Sequence, residues 1–309
     1  QRVTALTPVE VAELLRITRN TVYELIKRGE LRGYRVGKKV RVDLEEVEAY
    51  KLRDGARGQR TGGVRAGGEA SAAPRDSLVI AGQDVMLDVL VQQAEKAWPG
   101  FPLLRSHLGS YNGLYALYQG RVDMDTAHLW DAETGLYNAP FVKRMLPGVP
   151  AVLVHLAERA VGFYVRAGNP LGIAGWNDLA RAEVTMVNRE LGSGMRVLID
   201  QELRLLGLDP RRVKGYDNVA ASHIAVASAV SRGDADIGVG NRQACAQVRG
   251  VELIFLRDES LDLVVPALRM QEPWIRRVLA VLRSTEYRSE IESLGGYGLA
   301  DLGRETEAR

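Results

Sequence analysis

Two short motifs hold the residue types best suited to gripping a small ligand. Gly109-Ser110 and Gly192-Ser193-Gly194 each stand where an apolar run gives way to an amphipathic one, between a strand end and a helix start. A helix N-terminus presents unpaired N–H groups and partial positive charge, so it holds an anion without a lysine beside it. Glycine lets the backbone approach closely, and the serine hydroxyl adds a donor. Arg196, one turn into the second helix, would add a charged donor. Other chemistries are disfavoured by spacing. Gly192-Ser193-Gly194 lacks the third glycine of a nucleotide loop and any following Lys-Ser/Thr. The four histidines, His107, His128, His155 and His223, show no short metal-ligand spacing. Cys245 is the only cysteine, which excludes an internal disulfide and a Cys-rich metal site. With no nucleophile–base pair in view, the chain reads as a binder rather than an enzyme, needing no catalytic cofactor.

A second cluster is basic. Arg16 to Arg41 holds nine basic residues against two acids, and residues 1–60 hold 14 against 9, a net +5. The overall charge is only +2, because the remaining 27 basic and 30 acidic residues leave −3. A small basic module joined to a near-neutral larger one suggests a nucleic-acid reader attached to something else.

The elements that must position these groups follow from pattern and punctuation. The 309 residues, 46% of them apolar, suggest two domains with ample chain to bury a core. No apolar run approaches the eighteen or so residues of a membrane span, and no charged-then-apolar leader is seen, so the expectation is a cytoplasmic protein. Thr7-Pro8-Val9-Glu10 is a capping box with proline at the first helical position. Thr18 caps a second helix from Arg19 to Arg28, stopped by Gly29. A ribbon from Leu31 to Val42 turns at Gly37-Lys38, with Tyr34, Val36, Val40 and Val42 read as its apolar side. Asp54 to Asp76 has Val64 as its only large aliphatic residue and is expected to be a flexible linker. From Ser77 strands and helices alternate: a strand at Leu78–Gly82, another at Leu103–Leu108, a third at Glu183–Val187 and a fourth at Ala235–Val239. That alternation implies a mainly parallel sheet with ligands at the carboxyl ends of its strands.

Residues 5–50 resemble the excisionase/MerR-like helix-turn-helix family. The matching stretches are Leu6-Thr7-Pro8-Val9-Glu10-Val11-Ala12-Glu13-Leu14-Leu15, Thr21-Val22-Tyr23-Glu24-Leu25-Ile26, Gly29-Glu30-Leu31 and Arg35-Val36-Gly37-Lys38-Lys39. The resemblance implies a winged helix-turn-helix over residues 1–53 that binds double-stranded DNA. It implies Arg19, Asn20 and Tyr23 as base or backbone readers, with Lys27, Arg35, Lys38, Lys39 and Arg41 on phosphates.

Residues 77–303 resemble the two-lobed α/β type II periplasmic-binding-protein fold, and more closely the cytoplasmic domains related to molybdate-binding proteins. The carrying motifs include Gly109-Ser110-Tyr111-Asn112-Gly113-Leu114, Asp131-Ala132-Glu133-Thr134-Gly135-Leu136-Tyr137-Asn138, Val187-Asn188-Arg189-Glu190-Leu191-Gly192-Ser193-Gly194-Met195-Arg196 and Gly233-Asp234-Ala235-Asp236-Ile237-Gly238. The resemblance implies one lobe from about 77–158 and 266–303, and a second from 159–265. Around the cleft it implies Gln83, Asp84, Ser110, Tyr111, His128, Ser193, Gly194, Arg196 and His223, with molybdate or tungstate as effector. Two positions depart from that family. Met195 stands where it usually has threonine, and Gly82-Gln83-Asp84 replaces serines, so that a cleft-facing Asp84 would repel a dianion. The departures raise the alternative of an organic ligand with a donor for Asp84. The leading expectation is a homodimeric one-component transcription factor, with an excisionase-like architectural protein as the runner-up.

Overall fold

Thr7 caps the first helix as its spacing predicts. Its hydroxyl accepts from the Glu10 N–H at 3.3 Å, and the Glu10 carboxylate accepts from the Thr7 N–H at 2.7 Å. The structure, a computed structural model, describes residues 5–15, 22, 26, 31, 33–36, 39–43, 46–47 and 77–308. The chain divides into two compact units, 1–68 and 69–309. In the first unit β1 (Ala5–Leu6) leads into α1 (Pro8–Leu15), and β2 (Tyr34–Val36) pairs antiparallel with β3 (Lys39–Asp43). Val11, Ala12, Val22, Leu31, Val42 and Val47 form its small core. β1 on the far edge of β3 was not expected from the sequence. Nor does Tyr34 share an apolar row with Val42. Val36 pairs with Lys39, so the alternation of the two strands is out of phase. Tyr34 therefore lies opposite Arg41, 42% exposed, its hydroxyl donating to Asp43 at 2.7 Å, while Val42 is buried. The helix expected at Arg19–Arg28, apart from Val22 and Ile26, the turn at Gly37-Lys38 and the linker at 54–76 lie outside the described residues.

The second unit is built on one mixed sheet. Its first lobe runs β4 (Leu78–Ala81), α2 (Met86–Ala97), β5 (Leu103–Ser106), α3 (Ser110–Tyr118), β6 (Met124–Ala127) and α4 (Ala139–Met145). Here the expected parallel pairing is present, with β4 between β5 and β6. Then β7 (Ala151–Arg166) crosses into the second lobe. That lobe holds β8 (Asn188–Arg189), α5 (Gly194–Leu205), β9 (Val219–Ala220), α6 (His223–Arg232), β10 (Ile237–Asn241) and α7 (Arg242–Ala246). Finally β11 (Val251–Pro266) crosses back, followed by α8 (Pro273–Leu282), α9 (Thr285–Leu294), β12 (Tyr297–Gly298) and β13 (Glu305–Glu307).

The two 16-residue strands β7 and β11 pair antiparallel over nearly their whole length and join the lobes. They make the sheet mixed, order β10-β7-β11-β6-β4-β5, rather than mainly parallel. Three sequence expectations shift with them. Asp262–Val264 of β11 already pair with β6, so the return to the first lobe comes several residues before 266. β13 pairs with β7 beyond the expected end at 303. The strand expected at Glu183–Val187 is reduced to a single bridge, Met186 to Ile237, with β8 displaced onto Asn188–Arg189. Asp236 draws that segment in by accepting from the Thr185 N–H at 3.0 Å.

Each lobe buries its own core. Ile80, Leu87, Leu90, Met124, Leu263, Ile275 and Tyr287 pack α2, α8 and α9 on one face of the first lobe. Val161, Phe163, Met195, Leu198, Ile199 and Ile237 pack α5 in the second. Among the described residues, no helix is long and apolar enough to cross a membrane.

Candidate functional site: a closed polar chamber between two lobes

The strand-to-helix corners of the two lobes meet face to face. Gly109, in extended backbone, caps α3, and Ser110 is the first residue of that helix. Ser193 caps α5, its hydroxyl oxygen accepting from the Arg196 N–H at 3.2 Å. The Ser110 oxygen accepts from the His128 N–H at 3.3 Å. Each hydroxyl is thus engaged as an acceptor, and among the described residues neither has an acceptor for its own proton. Both line a cavity of about 30 Å³ together with Gln83, Asp84, His128, Gly194 and His223, and with Thr126, Arg159, Arg189 and Asn241. At about 10–15 Å³ per water-sized group, that is room for roughly two to three such groups.

The lobes are already in contact. The Gly192 carbonyl of the second lobe accepts from the Tyr111 N–H at 3.0 Å and the Asn112 N–H at 3.4 Å, at the start of α3. Asn112 Nδ2 donates to the Leu191 carbonyl at 3.1 Å. Gln83 bridges the same gap, accepting from Arg189 Nη2 at 2.8 Å and donating to Glu190 at 3.3 Å. Much of the expected anion-binding end of α3 is therefore taken by a backbone carbonyl of the other lobe. Glycines make this approach feasible. A Cβ on Gly109 would lie 2.7 Å from the Gly192 carbonyl oxygen, and one on Gly194 would lie 2.4 Å from the His128 ring.

Beneath the chamber runs a buried chain of charge. Arg159 on β7 pairs through Nη1 with Asp84 and through Nη2 with Glu259 of β11, its cross-strand neighbour. His128 Nδ1 meets the other Glu259 oxygen at 2.9 Å. Burial alone would raise the Glu259 carboxyl, but Arg159 and His128 outweigh it and hold the group below the usual carboxylate range. His223, the first residue of α6, behaves oppositely. Burial, then the charges of Arg189, Arg159 and His128, push its imidazole well below 6.5, and its Nδ1 has no partner among the described residues.

Several sequence expectations are corrected here. Asp84 does not face the chamber as a free anion. Its oxygens accept from Arg159, from the Tyr297 hydroxyl at 3.0 Å and from the Met86 N–H at 2.8 Å. Three donors therefore engage its oxygens, and its counter-charge, Arg159, is shared with Glu259. Arg196 does not line the chamber. Its guanidinium lies over the Tyr216 ring at 4.2 Å, bonded to Asp200 and the Arg189 carbonyl, and so braces the loop from below. Tyr111 does not line it either; its side chain is 42% exposed and only its N–H takes part. Met195 is fully buried in the core of the second lobe, so its side chain is withheld from the chamber.

Arg159, Glu259, Asn241 and Thr126 were not singled out from the sequence. The available signal was a charged pair, Glu158-Arg159, inside the run Ala151–Val165, whose only other strongly polar residue is His155. Arg189 belongs to the stretch Val187–Arg196, which carries the fold resemblance without marking it as a chamber wall. Of the DNA-binding candidates, Arg19, Asn20, Tyr23, Lys27 and Lys38 lie outside the described residues. Arg35, Lys39 and Arg41 stand in the β2–β3 ribbon, with Arg41 Nη1 donating to the Val40 carbonyl at 3.3 Å.

Comparison with known proteins agrees with this architecture. Residues 91–283 match the PBP superfamily domain, and residues 5–54 match a helix-turn-helix domain. The chain is 43% identical over 290 residues to the uncharacterized protein YvgK of Bacillus subtilis, covering 93% of each chain. Among solved structures, a phosphate ABC-transporter substrate-binding protein from Clostridium perfringens with phosphate bound superposes with a TM-score of 0.52. That match has 15% identity and covers 72% of this chain and 98% of that one. The effector-binding domain of a BenM variant gives a TM-score of 0.51 at 14% identity, covering 72% and 99%. At such identities these two likenesses concern the fold alone.

Proposed function

The chain belongs to the PBP superfamily, carries a helix-turn-helix domain ahead of that match, and on this premise we propose that it is a one-component DNA-binding regulator sensing a small oxyanion. Molybdate or tungstate is the proposed effector, and closure of the two lobes around it is the signal. The observation that carries the reading is the pair of serine hydroxyls, one from each lobe, with unengaged protons beside one small polar chamber. Burial is the largest cause of the lowered His223 pKa, and the charges of Arg189, Arg159 and His128, which add to it, favour an anion next to that ring. The protein acts non-catalytically, in the cytoplasm, as a homodimer on paired half-sites of double-stranded DNA. Arg19, Asn20 and Tyr23 are proposed to read the operator, and the basic ribbon residues to hold its phosphates.

Calorimetry on the full chain checks this. Molybdate or tungstate should give saturable heat and change the affinity for a DNA fragment selected by the protein. Sulfate, being smaller, leaves donors unmet at about 1–3 kcal/mol each and should bind more weakly. Ser193→Ala should weaken the oxyanion by about 1.5–3 kcal/mol, one hydrogen bond to a charged group. No heat with either ion, with DNA binding indifferent to both, would sink the proposal.

A pH dependence follows from His223. In the free site it is neutral at pH 7, held so by burial and by Arg189, Arg159 and His128. A bound dianion raises its pKa, so binding takes up a proton and affinity increases as pH falls. Between the free and bound pKa values the gain approaches tenfold per pH unit. Titrations with molybdate from pH 8 to pH 5 should show it, and His223→Asn should flatten it. A flat wild-type profile would remove His223 from the site.

A further inference from the structure

A second, far larger cavity of about 820 Å³ adjoins the chamber, and four residues, Gln83, Asp84, His223 and Asn241, line both. The remaining walls come from both lobes and are largely apolar or small. Val85, Leu294 and Tyr297 stand on the first-lobe side, with Ile224, Ala244 and Ala246 on the second. A free tetrahedral ion held at the chamber has no use for this space. The volume lies in the range of roughly 300–1,000 Å³ typical of sites for small organic molecules, and so does the character of the lining, apolar with a few polar groups. Among the described residues, two polar atoms on these walls are buried and have no partner, His223 Nδ1 and Gln243 Oε1. Gln243 is held in place by its Nε2 donating to the Gly296 carbonyl at 2.5 Å. Its Oε1 can only accept, so an occupant that satisfies it must bring a donor.

We propose that chamber and groove are two compartments of one binding site, which accepts organic oxyanions: a tetrahedral acid head in the chamber and an apolar body in the groove. This rests on the chamber being the oxyanion site proposed above. It widens the ligand class from free ions to substituted ones, and the substituent adds affinity by leaving water. A donor on that body reaching Gln243 Oε1 would add orientation as well.

The test uses the full chain and a series of probes sharing one kind of head: methylphosphonate and phenylphosphonate, with molybdate alongside. Phenylphosphonate should bind at least tenfold more tightly than methylphosphonate. Ala246→Trp, at an exposed position on the groove wall, should bring that ratio toward one by filling the space. Equal affinities for the two phosphonates would overturn the groove while leaving the chamber in place. So would an undiminished ratio in Ala246→Trp, or binding of molybdate with neither phosphonate bound. If none of the three probes binds, the chamber reading itself fails, and this inference fails with it.

Discussion

Gly109→Ala should leave the second unit folded and reduce its affinity for oxyanion by at least about a hundredfold. Gly109 has φ −71° and ψ 156°, a conformation open to any residue, so alanine introduces no backbone strain within its own lobe. The nearest atoms to the new Cβ all belong to the opposite lobe: the Gly192 carbonyl oxygen at 2.7 Å and Ser193 Cα at 2.8 Å. These are backbone atoms, which cannot rotate aside. The methyl group therefore opposes only the closed arrangement, in which Tyr111 and Asn112 donate to Gly192. Holding the lobes apart removes the donors of one of them. Two charge-assisted hydrogen bonds at about 1.5 kcal/mol each come to about 3 kcal/mol, or a hundredfold. Calorimetry gives the affinity, and thermal unfolding gives the control, since loss of glycine at a helix cap costs under about 1 kcal/mol. The variant's DNA binding should no longer respond to oxyanion, because a ligand shifts an equilibrium only through its preference for one state. Wild-type affinity in a folded variant would show that the closed contact is not part of binding.

Arg159→Leu should destabilise the second unit by about 3–5 kcal/mol at neutral pH, because it strands two buried carboxylates. Arg159 is the shared cation of Asp84 and Glu259, and all three are largely withdrawn from solvent. The sign of the pH response separates this cause from loss of packing. In the wild type Glu259 has a depressed pKa. Its contribution to stability is present above the unfolded value of 4.5 and is lost as pH falls through the folded one. Without Arg159 the largest lowering influence on Glu259 is lost and only His128 remains, so the carboxyl pKa rises from its wild-type position and the variant takes up its proton at higher pH. The gap between variant and wild type should then narrow from pH 7 to pH 5 in denaturant unfolding. Adding Glu259→Gln and Asp84→Asn to Arg159→Leu should recover much of the loss at pH 7. A deficit under 1 kcal/mol, or one that widens on acidification, would mean that charge pairing is not what Arg159 contributes to stability.

The parts of this molecule legible in its sequence are those decided within a few residues. The Thr7 and Glu10 exchange, the Ser193 cap on the Arg196 N–H and the Ser222 cap on the Ala225 N–H each span three positions, and the residue types name the bond. Gly233 ends α6 with φ +79°, as a glycine after a helix commonly does. Periodicity over a dozen residues likewise placed α2, α3, α5 and α6, and with them the two serine corners. What lines the chamber and what lies beneath it were decided elsewhere. Asp84, Arg159 and Glu259 come from three distant stretches, and only the register of β7 on β11 sets Arg159 beside Glu259. That register also turned a sheet read as mainly parallel into a mixed one. Arg196 shows the same limit. Its position on α5 followed from the sequence, but its direction depended on Tyr216 and Asp200 being present to receive it. Local hydrogen bonds are encoded by neighbours in the chain. The polarity of a cleft is a sum over neighbours in space, and two crossing strands choose which those are.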